Sequence, residues 1–329
     1  MQTFNVVGID VSKKTIDVYC LPCGASSTFP NNVKGFSKLC NWLADRKMAI
    51  ANCWLVFEHT GMYSIPLSRY CSANQIKYTL VPGLALKRSL GISRGKSDHI
   101  DARRIASYAM EKQNSLVASK IYDETIEKLK RLICLRNKLI VDRAGLKQRN
   151  EQMQQFCQIK ANDIEIKVQK KIVKLLDSQI LEIEQAIKAL IDQDRDLSKS
   201  YQLLVSIKGI GFIVAANLIA YTGNFTRFSD ARKFACYIGT APFEHTSGTS
   251  IKGKSRVSYF AYKKLKVLID LAAKSAIKSD PELKSYYQQR VEAGKSRMST
   301  INVVRNKLLT RVFAVIKRET PYQIKNIAA

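Results

Sequence analysis

Two short apolar runs in the first sixty residues each end in a carboxylate. Residues 6–9 lead into Asp10, and residues 54–57 lead into Glu58. Runs of this length, rich in valine, isoleucine and aromatic residues, predict buried strands. A carboxylate at the end of a buried strand loses hydration unless a cation or a hydrogen-bond donor compensates for it. The pattern therefore predicts strands whose ends meet at a charged site.

Two further acids stand out because the first 105 residues contain only six. Asp98 and Asp101 are three residues apart, and on a helix they share one face. Acids at a helix start also compensate the helix dipole, which is the alternative reading of this pair. Carboxylate oxygens converging from separate elements suit Mg²⁺ or Mn²⁺. We therefore predict a metal site formed by Asp10, Glu58, Asp98 and Asp101.

The first 115 residues alternate between extended and helical patterns. Such alternation predicts an α/β domain, in which helices cover a sheet. Residues 83–97 are rich in cations and glycine and predict a mobile basic loop. The expected strands are residues 4–10, 15–20, 53–57 and 76–81, and the expected helices are residues 34–46 and 65–73.

Residues 120–200 have a different texture, with few glycines and no proline. Leucine and methionine recur every seven residues from Leu132 to Met153, which predicts a coiled coil or a helical hairpin with a break near residues 158–163. We expect this region to connect two domains and to bind another subunit. Packing within a single chain stays open as the alternative.

The third region, residues 201–329, predicts a mainly helical domain. Residues 205–211 contain an apolar-x-Gly-apolar-Gly turn before an apolar helix. Such a turn exposes backbone N–H groups at a helix start, where a DNA phosphate docks in helix-hairpin-helix elements. A plain turn between core helices remains the other interpretation.

The net charge of +27 favours a polyanionic partner, with nucleic acid first. Residues 246–329 contain 18 Lys and Arg against 5 acids, and tyrosines lie among these cations. We expect phosphate contacts that weaken with salt, and base stacking or core packing by the tyrosines. No apolar run reaches the length of a membrane span, and the eight cysteines show no disulfide pattern. The expected location is the cytoplasm, with no membrane partner.

Residues 245–250 predict a hydroxyl-rich loop flanked by cations, and this loop contains Ser247. Metal ions held by the acids would suit phosphodiester chemistry, with water as the attacking group. The hydroxyl of Ser247 is a second candidate nucleophile, provided that its proton is removed and the phosphate charge is neutralised. No His-Asp partner for Ser247 is evident in the sequence.

Five motifs in order carry a family resemblance over nearly the whole chain. The chain resembles the DEDD transposases of bacterial insertion sequences, a group that also contains the recombinases that invert pilin genes. The motifs are Gly8-Ile9-Asp10-Val11-Ser12-Lys13, Glu58-His59-Thr60-Gly61-Met62-Tyr63, Lys96-Ser97-Asp98-His99-Ile100-Asp101-Ala102-Arg103, Ile207-Lys208-Gly209-Ile210-Gly211 and Ser247-Gly248-Thr249-Ser250.

The resemblance implies an RNase H-like (RuvC-like) domain over residues 1–115, in which the four acids bind Mg²⁺. It implies a coiled coil over 120–200 and a transposase domain over 201–329, whose Ser247 forms a covalent phosphoserine with DNA. Family members form dimers and tetramers in which the serine of one subunit meets the acids of another. Insertion-sequence members are guided by a structured RNA encoded in their own noncoding end.

The chain departs from the family pattern at two places. His59 replaces a residue that is small in many members, and Thr249 follows Gly248, which leaves Ser250 as a rival nucleophile. We predict a Mg²⁺-dependent recombinase that moves an insertion sequence and binds double-stranded DNA and a guide RNA. The alternatives are a DNA invertase, a Holliday-junction-resolving nuclease that uses only the acids, and an inactive RNA-binding or architectural protein.

Overall fold

The computed structural model describes residues 4–89, 98–119, 123–247 and 251–323, which form two compact units, Met1–Asp123 and Glu124–Ala329. Seven residues inside helices or strands are described by their backbone only. They are Asp98, His99, His245, Ser247, Ile251, Lys252 and Lys254. The threefold domain division drawn from the sequence stays a prediction.

Unit 1 is a mixed α/β structure, as the sequence predicted. Its sheet has five strands among the described residues, in the order β3-β2-β1-β4-β5, with β1, β4 and β5 parallel and β2 and β3 antiparallel to their neighbours. The elements are β1 (Asn5–Val11), β2 (Thr15–Cys20), β3 (Ala25–Pro30), α1 (Val33–Ala44), β4 (Cys53–Glu58), α2 (Ile65–Ala73), β5 (Tyr78–Val81), α3 (Gly83–Ser89) and α4 (Asp98–Glu111).

Each face of this sheet has its own apolar core. Alternate residues of a strand point to opposite faces, so that one strand contributes to both cores. Val7 and Ile9 belong to the core that includes Phe36 and Leu39 of α1. Val6 and Val56 belong to the other, which includes buried residues of α4 such as Ile105. The acids of β1 and β4 lie on this second face.

The predicted basic loop of unit 1 was wrong for its first residues, 83–89. The basic loop expected over residues 83–97 begins as the helix α3, and residues 90–97 lie outside the described residues. The helix forms because Leu86 is buried in the α4-side core and because the N–H groups of Ala85 and Leu86 donate to the carbonyl of Pro82. The polar strand β3 was also not predicted, since its apolar content is low.

Unit 2 begins with two long helices that pack against each other. They are α5 (Glu124–Phe156) and α6 (Ile164–Gln193), and residues 157–163 between them match the predicted break. Arg136 of α5 pairs with Glu184 of α6, and Arg143 pairs with Asp177. These contacts make a helical hairpin, whereas its supercoiling as a coiled coil stays a prediction.

The rest of unit 2 is a helical bundle with one β-hairpin. Within the described residues, no helix is both long enough and apolar enough to cross a membrane. The bundle core includes residues from both long helices, such as Ile133 and Ile187. The remaining elements are α7 (Arg195–Val205), α8 (Phe212–Thr222), α9 (Ala231–Ile238), β6 (Pro242–Ser247), β7 (Ile251–Val257), α10 (Lys263–Ser279), α11 (Pro281–Glu292) and α12 (Arg297–Arg318).

Candidate active site

Strand register places Asp10 beside Glu58. Ile9 of β1 pairs with Phe57 of the parallel strand β4, so the next residue of each strand is one of the two acids. Neighbours at the same position of a parallel pair point to the same face of the sheet. Both acids are half-buried. The two strand-end carboxylates predicted from the sequence thus share one edge and one face.

The helix α4 crosses the same face directly over β1. A methyl group on Gly8 would lie 2.3 Å from the carbonyl oxygen of Ala102 and 2.4 Å from the nitrogen of Ala106, so only glycine permits this approach. The later residues of α4 share a core with Val6, near the start of β1. The first turn of the helix is therefore directed toward the end of the strand, where Asp10 lies.

That first turn carries the other two predicted acids. The carboxylate of Asp101 is 29% exposed and accepts a hydrogen bond of 2.9 Å from Arg104 Nη1. Asp98 is the first residue of the helix, and its side chain lies outside the described part of the structure. The arginine compensates the charge of Asp101 and fixes one of its oxygens.

The carboxylate of Glu58 lies against the first residue of α3. A methyl group on Gly83 would come within 2.1 Å of Glu58 Oε1 and 2.9 Å of its Cδ. Gly83 lies two residues after Val81, the last residue of β5, which pairs with Glu58. The absence of a side chain at position 83 therefore makes the space that the glutamate occupies.

The acids are suitable ligands for a hard divalent cation. Carboxylate oxygens are what Mg²⁺ prefers, and Asp10 and Glu58 present them side by side at the end of a sheet. Among the side chains that the structure describes, no three His, Cys, Asp or Glu residues come close enough to hold a metal ion. The donor set fits Mg²⁺ in its chemistry, and the fourth acid, Asp98, is not among the described side chains.

A further acid, Asp17, belongs to the same row and was missed in the sequence. It pairs directly with Asp10 across the antiparallel strands β1 and β2 and therefore points to the same face. Asp17 is only 5% exposed, and Thr28 Oγ1 donates a hydrogen bond of 2.6 Å to its Oδ1. The sequence signal for Asp17 was its position between Ile16 and Val18 of a predicted strand. Burial of a carboxylate there costs free energy unless a hydrogen-bond donor or a cation compensates for it.

A cleft of about 170 Å³ lies along α4 in unit 1. It is lined by cations and hydroxyl groups together with one acid and one apolar residue. Arg103 is exposed, and its guanidinium lies 5.7 Å from the ring of Tyr19. Two guanidinium groups near hydroxyls suit a phosphate. The lining residues are Ser89, Ile100, Arg103, Arg104, Ser107, Tyr108 and Glu111.

Ser247 is the last residue of β6, in an antiparallel hairpin with β7. The ladder pairs Ser247 with Ile251 and Thr246 with Lys252, and it has a bulge between Phe243 and His245. The hydroxyl-rich segment was expected to be a loop, and strand pairing of its two arms makes it a hairpin instead. The rival nucleophile Ser250 lies outside the described residues.

Several cations of the basic C-terminal region are used inside unit 2. Arg305 is 6% exposed and pairs with Asp270, and Arg311 pairs with both Asp280 and Glu282. Lys274 also pairs with Asp270. Burial would raise the pKa of Asp270, but hydrogen bonds from Lys274 and Arg305 outweigh it and hold the pKa below its ordinary value. Arg305 and Arg311 thus join different helices and are used in internal ion pairs, whereas Lys274 pairs within α10 and is half exposed.

The tyrosines expected to stack on bases differ in their surroundings. Tyr262 donates or accepts a 2.7 Å hydrogen bond with Tyr221 and stacks on Tyr237, so it belongs to the core. Tyr259 is 78% exposed, with Lys263 Nζ 4.1 Å from its ring centre. An exposed aromatic ring with a cation over it is suited to contact a nucleotide.

The glycine turn before α8 is packed on one side and open on the other. Gly209 has a φ of +92°, and a methyl group on it would lie 2.6 Å from the carbonyl oxygen of Ala272 in α10. Gly211 precedes the helix, is exposed, and has no atom near its missing side chain. Gly209 thus belongs to a packed turn between core helices, whereas phosphate docking at the exposed Gly211 stays a prediction.

The cysteines do not form a metal site in the described part of the chain. Burial is the main cause that raises the pKa of Cys20 to about 12 and that of Cys53 to about 11. Thiols with such pKa values stay protonated near neutral pH and are poor nucleophiles. Cys20 and Cys53 are therefore not candidate nucleophiles.

Two family models match the chain, one in each region that contains candidate residues. The model for the DEDD transposases of the IS110 group, described as "Transposase", matches residues 7–157. The model described as "Transposase IS116/IS110/IS902 family" matches residues 201–288. The first range contains the four predicted acids, and the second contains Ser247.

Curated relatives match over different shares of their length. The chain is 28% identical to the "Pilin gene-inverting protein" of Moraxella bovis and to that of Moraxella lacunata, in each case over 323 residues that cover 96% of this chain and 97% of the relative. It is 28% identical to the "Insertion element IS110 uncharacterized 43.6 kDa protein" of Streptomyces coelicolor over 155 residues, which cover 46% of this chain and 38% of that protein.

Proposed function

Because this chain belongs to the DEDD transposases of insertion sequences, we propose that it cuts and rejoins DNA with a serine nucleophile and a Mg²⁺ site. The observation that carries the proposal is the meeting of Asp10 and Glu58 at one sheet edge, with the first turn of α4 directed toward it. An acid cluster alone would suit hydrolysis. The transposase match that includes Ser247 supports rejoining of DNA instead, and transfer to the serine hydroxyl is the step that we propose for it.

In the proposed mechanism, Asp10, Glu58, Asp98 and Asp101 hold the cation in an RNase H-like domain. Mg²⁺, with Mn²⁺ as a substitute, supplies Lewis-acid stabilisation of the negative charge on the reacting phosphate. The row of carboxylates repels DNA until that charge is balanced, so the acids alone do not bind a phosphate. Arg104 fixes the orientation of Asp101 in this arrangement.

Ser247 carries the covalent chemistry. Its Oγ forms a bond to phosphorus as the bond from phosphorus to a deoxyribose oxygen breaks, and the proton of the serine ends on that leaving oxygen. Rejoining reverses the step, since a DNA hydroxyl attacks the phosphoserine and Ser247 recovers a proton. No bond energy is lost to hydrolysis between the steps, which distinguishes a recombinase from a nuclease.

The decisive experiment is to trap the covalent adduct and map its residue. We expect the wild-type protein with Mg²⁺ and cognate DNA to give a phosphopeptide containing Ser247, and Ser247→Ala to give none. The matched control is Ser250→Ala, which should still form the adduct. An adduct at Ser250, or cleavage by Ser247→Ala at the wild-type rate, would overturn this assignment.

DNA inversion is the second candidate function. The specific observation is that the two pilin gene-inverting relatives match along nearly their full length, whereas the insertion-element relative given above matches over 38% of its own. An assay with two sites in inverted orientation and one with a mobile element separates the two. Inversion without excision or insertion would favour the invertase.

We propose double-stranded DNA and a structured guide RNA as partners. Support for both is electrostatic: the net charge is +27, Lys263 and Lys264 are exposed, and Lys263 lies over the ring of Tyr259. Sequencing of RNA copurified with the protein tests the guide. We expect enrichment of the noncoding flank of the element, and the absence of such enrichment together with RNA-independent recombination would remove the guide from the proposal.

We propose that the protein assembles as a homodimer or tetramer through α6. Ile164, Val168, Ile172 and Leu175 lie at spacings of four, four and three residues, and each is at least 41% exposed. Their positions are on the side of the helix opposite to Ile166, which is buried. An apolar stripe of this kind is typical of a helix that packs against a second copy.

The stripe is tested by charge insertion. We expect Ile172→Lys with Leu175→Lys to shift the mass measured by light scattering toward the monomer. Gln185→Lys is the matched control, since it adds a charge at an exposed position of the same helix outside the stripe. Unchanged mass in the double variant would show that α6 is not the interface.

A further inference from the structure

The carbonyl of Thr240, just before the serine hairpin, is held by two asparagines of α12. The Nδ2 atoms of Asn302 and Asn306 each donate a hydrogen bond of 3.0 Å to it. The hydroxyl of Thr240 donates in turn to Asn306 Oδ1 at 3.1 Å. Thr240 is fully buried, so these bonds replace hydration that the residue has lost.

The orientation of the two amides is fixed by neighbouring groups. Arg305 Nη1 donates to Asn302 Oδ1 at 3.2 Å, which leaves the amino group of Asn302 to face Thr240. The same guanidinium binds Asp270 of α10. Asn306 also donates to the carbonyl of Asn302, at 2.9 Å. The network thus connects α10 and α12 with Thr240, which lies two residues before β6.

The other end of the hairpin is fixed as well. Tyr262, five residues after β7, donates its backbone N–H to the carbonyl of Tyr237 at 2.9 Å. Gly239 has a φ of +75°, and a methyl group on it would lie 2.5 Å from Ala261 Cβ. The two chain ends of the hairpin therefore meet beside α9, and the strand carrying Ser247 extends from an anchored base.

We propose that Asn302, oriented by Arg305, and Asn306 are positioning residues for Ser247. The inference rests on the proposed function, because it concerns the serine as nucleophile. Ser247 is the last of six residues in β6, so a small rotation at the base becomes a larger displacement at the serine. A misplacement of about 1 Å in a reacting group lowers rates by roughly 100-fold.

The experiment compares Asn306→Ala with Asn217→Ala. Asn217 is a matched control because it is buried in a helix of the same unit and donates its amide to a backbone carbonyl, that of Ile213. At saturating DNA we expect Asn306→Ala to form the adduct roughly 10- to 100-fold more slowly, with an unchanged Kd for DNA. Asn217→Ala should change neither value beyond its fraction of folded protein.

A second readout does not depend on the serine. Hydrogen exchange of the backbone amides of residues 240–246 should accelerate in Asn306→Ala and in Asn302→Ala but not in Asn217→Ala. Thr240→Ser keeps the hydroxyl donor and should retain the wild-type exchange and adduct rates, whereas Thr240→Val should not. Wild-type exchange and adduct rates in Asn306→Ala would overturn the proposal.

The two proposals fail in distinguishable ways. If the wild-type protein forms no serine adduct but Asn306→Ala still accelerates exchange in the hairpin, the proposed function is wrong. The structural role of Asn306 at the base of the hairpin is then retained. If the adduct maps to Ser247 and Asn306→Ala forms it at the wild-type rate, the proposed function stands and the positioning role is wrong.

Discussion

The two regions that carry candidate catalytic residues are built on different principles. In unit 1, Asp10 and Glu58 are neighbours because two parallel strands pair in one register inside a sheet that is covered on both faces. In unit 2, Ser247 ends one strand of a two-stranded hairpin. A register shift in the covered sheet would expose both cores, whereas a hairpin depends on the contacts at its base.

This difference suggests a division of tasks. Metal ligands need fixed relative positions, which a buried sheet provides. A nucleophile that joins a strand and later releases it needs access to DNA, which a hairpin provides. We therefore expect substitutions in unit 1 to change activity by altering packing on the sheet. Substitutions in unit 2 should change activity by altering the contacts at the base of the hairpin.

The largest effect tests whether the acids and the serine of one proposed active site come from the same subunit or from two subunits. Asp10→Asn and Ser247→Ala should each lower adduct formation by at least about 1,000-fold. If sites are composite, mixed dimers contain one site with both an intact serine and intact acids, and the mixture should recover roughly a quarter of the wild-type yield. Quantitative adduct assays measure this.

Asp45→Asn is the matched control, since Asp45 is an exposed acid after α1 in the same unit. It should keep wild-type activity. A mixture that stays as inactive as its two components would place both halves of the site within one subunit.

The second effect concerns the contact between α4 and the sheet. Gly8→Ala should destabilise unit 1 by about 1–3 kcal/mol, because the new methyl group collides with the backbone of α4. It should also reduce cleavage strongly, since the turn carrying Asp98 and Asp101 is displaced. Thermal unfolding and cleavage assays check this, and wild-type values in both would refute the close packing.

The third effect concerns Glu58 alone. Gly83→Ala places its methyl group against the end of a side chain, Glu58 Oε1, which can move. We expect stability within about 1 kcal/mol of wild type but Mg²⁺-dependent cleavage reduced by roughly 10- to 100-fold. Titration of activity with Mg²⁺ measures it. A normal Mg²⁺ requirement would argue against Glu58 as a ligand.

The smallest effect concerns the cleft along α4. Arg103→Ala should weaken DNA binding a few-fold and lower the slope of log affinity against log salt by about 1, since one phosphate contact is lost. Arg46→Ala is the control, because Arg46 is an exposed arginine that stacks on Trp42, next to the core on the other face of the sheet. Equal salt slopes in the two variants would exclude the cleft as a phosphate site.

Much of the fold was predictable because its signals are local. Helix α2 has the predicted bounds, and β2 does as well. The mixed α/β character and the transposase family also followed from patterns and motifs in the chain. Helix α3 was not predicted, since its formation depends on a core contact of Leu86 with residues of other elements.

The residues of the candidate site also differ in whether local sequence patterns identify them. Asp10 and Glu58 were identified because each ends an apolar run, which is visible without any partner strand. Asp17 was missed because its alignment with Asp10 is a property of strand pairing. The roles of Asn302 and Asn306 depend on a carbonyl more than sixty residues earlier in the chain. No periodicity within a segment encodes such a distant partner.

The sequence by itself determined which residue types are present and the approximate bounds of many strands and helices, because backbone propensity and apolar periodicity act over a few residues. It therefore gave the acids, the serine and the basic charge. The tertiary structure alone decided which acids face one another, that Gly8 and Gly83 leave room for α4 and Glu58, and that an arginine counted as a phosphate contact is an internal ion pair. These outcomes depend on long-range register and close packing, which bring together residues far apart in the chain.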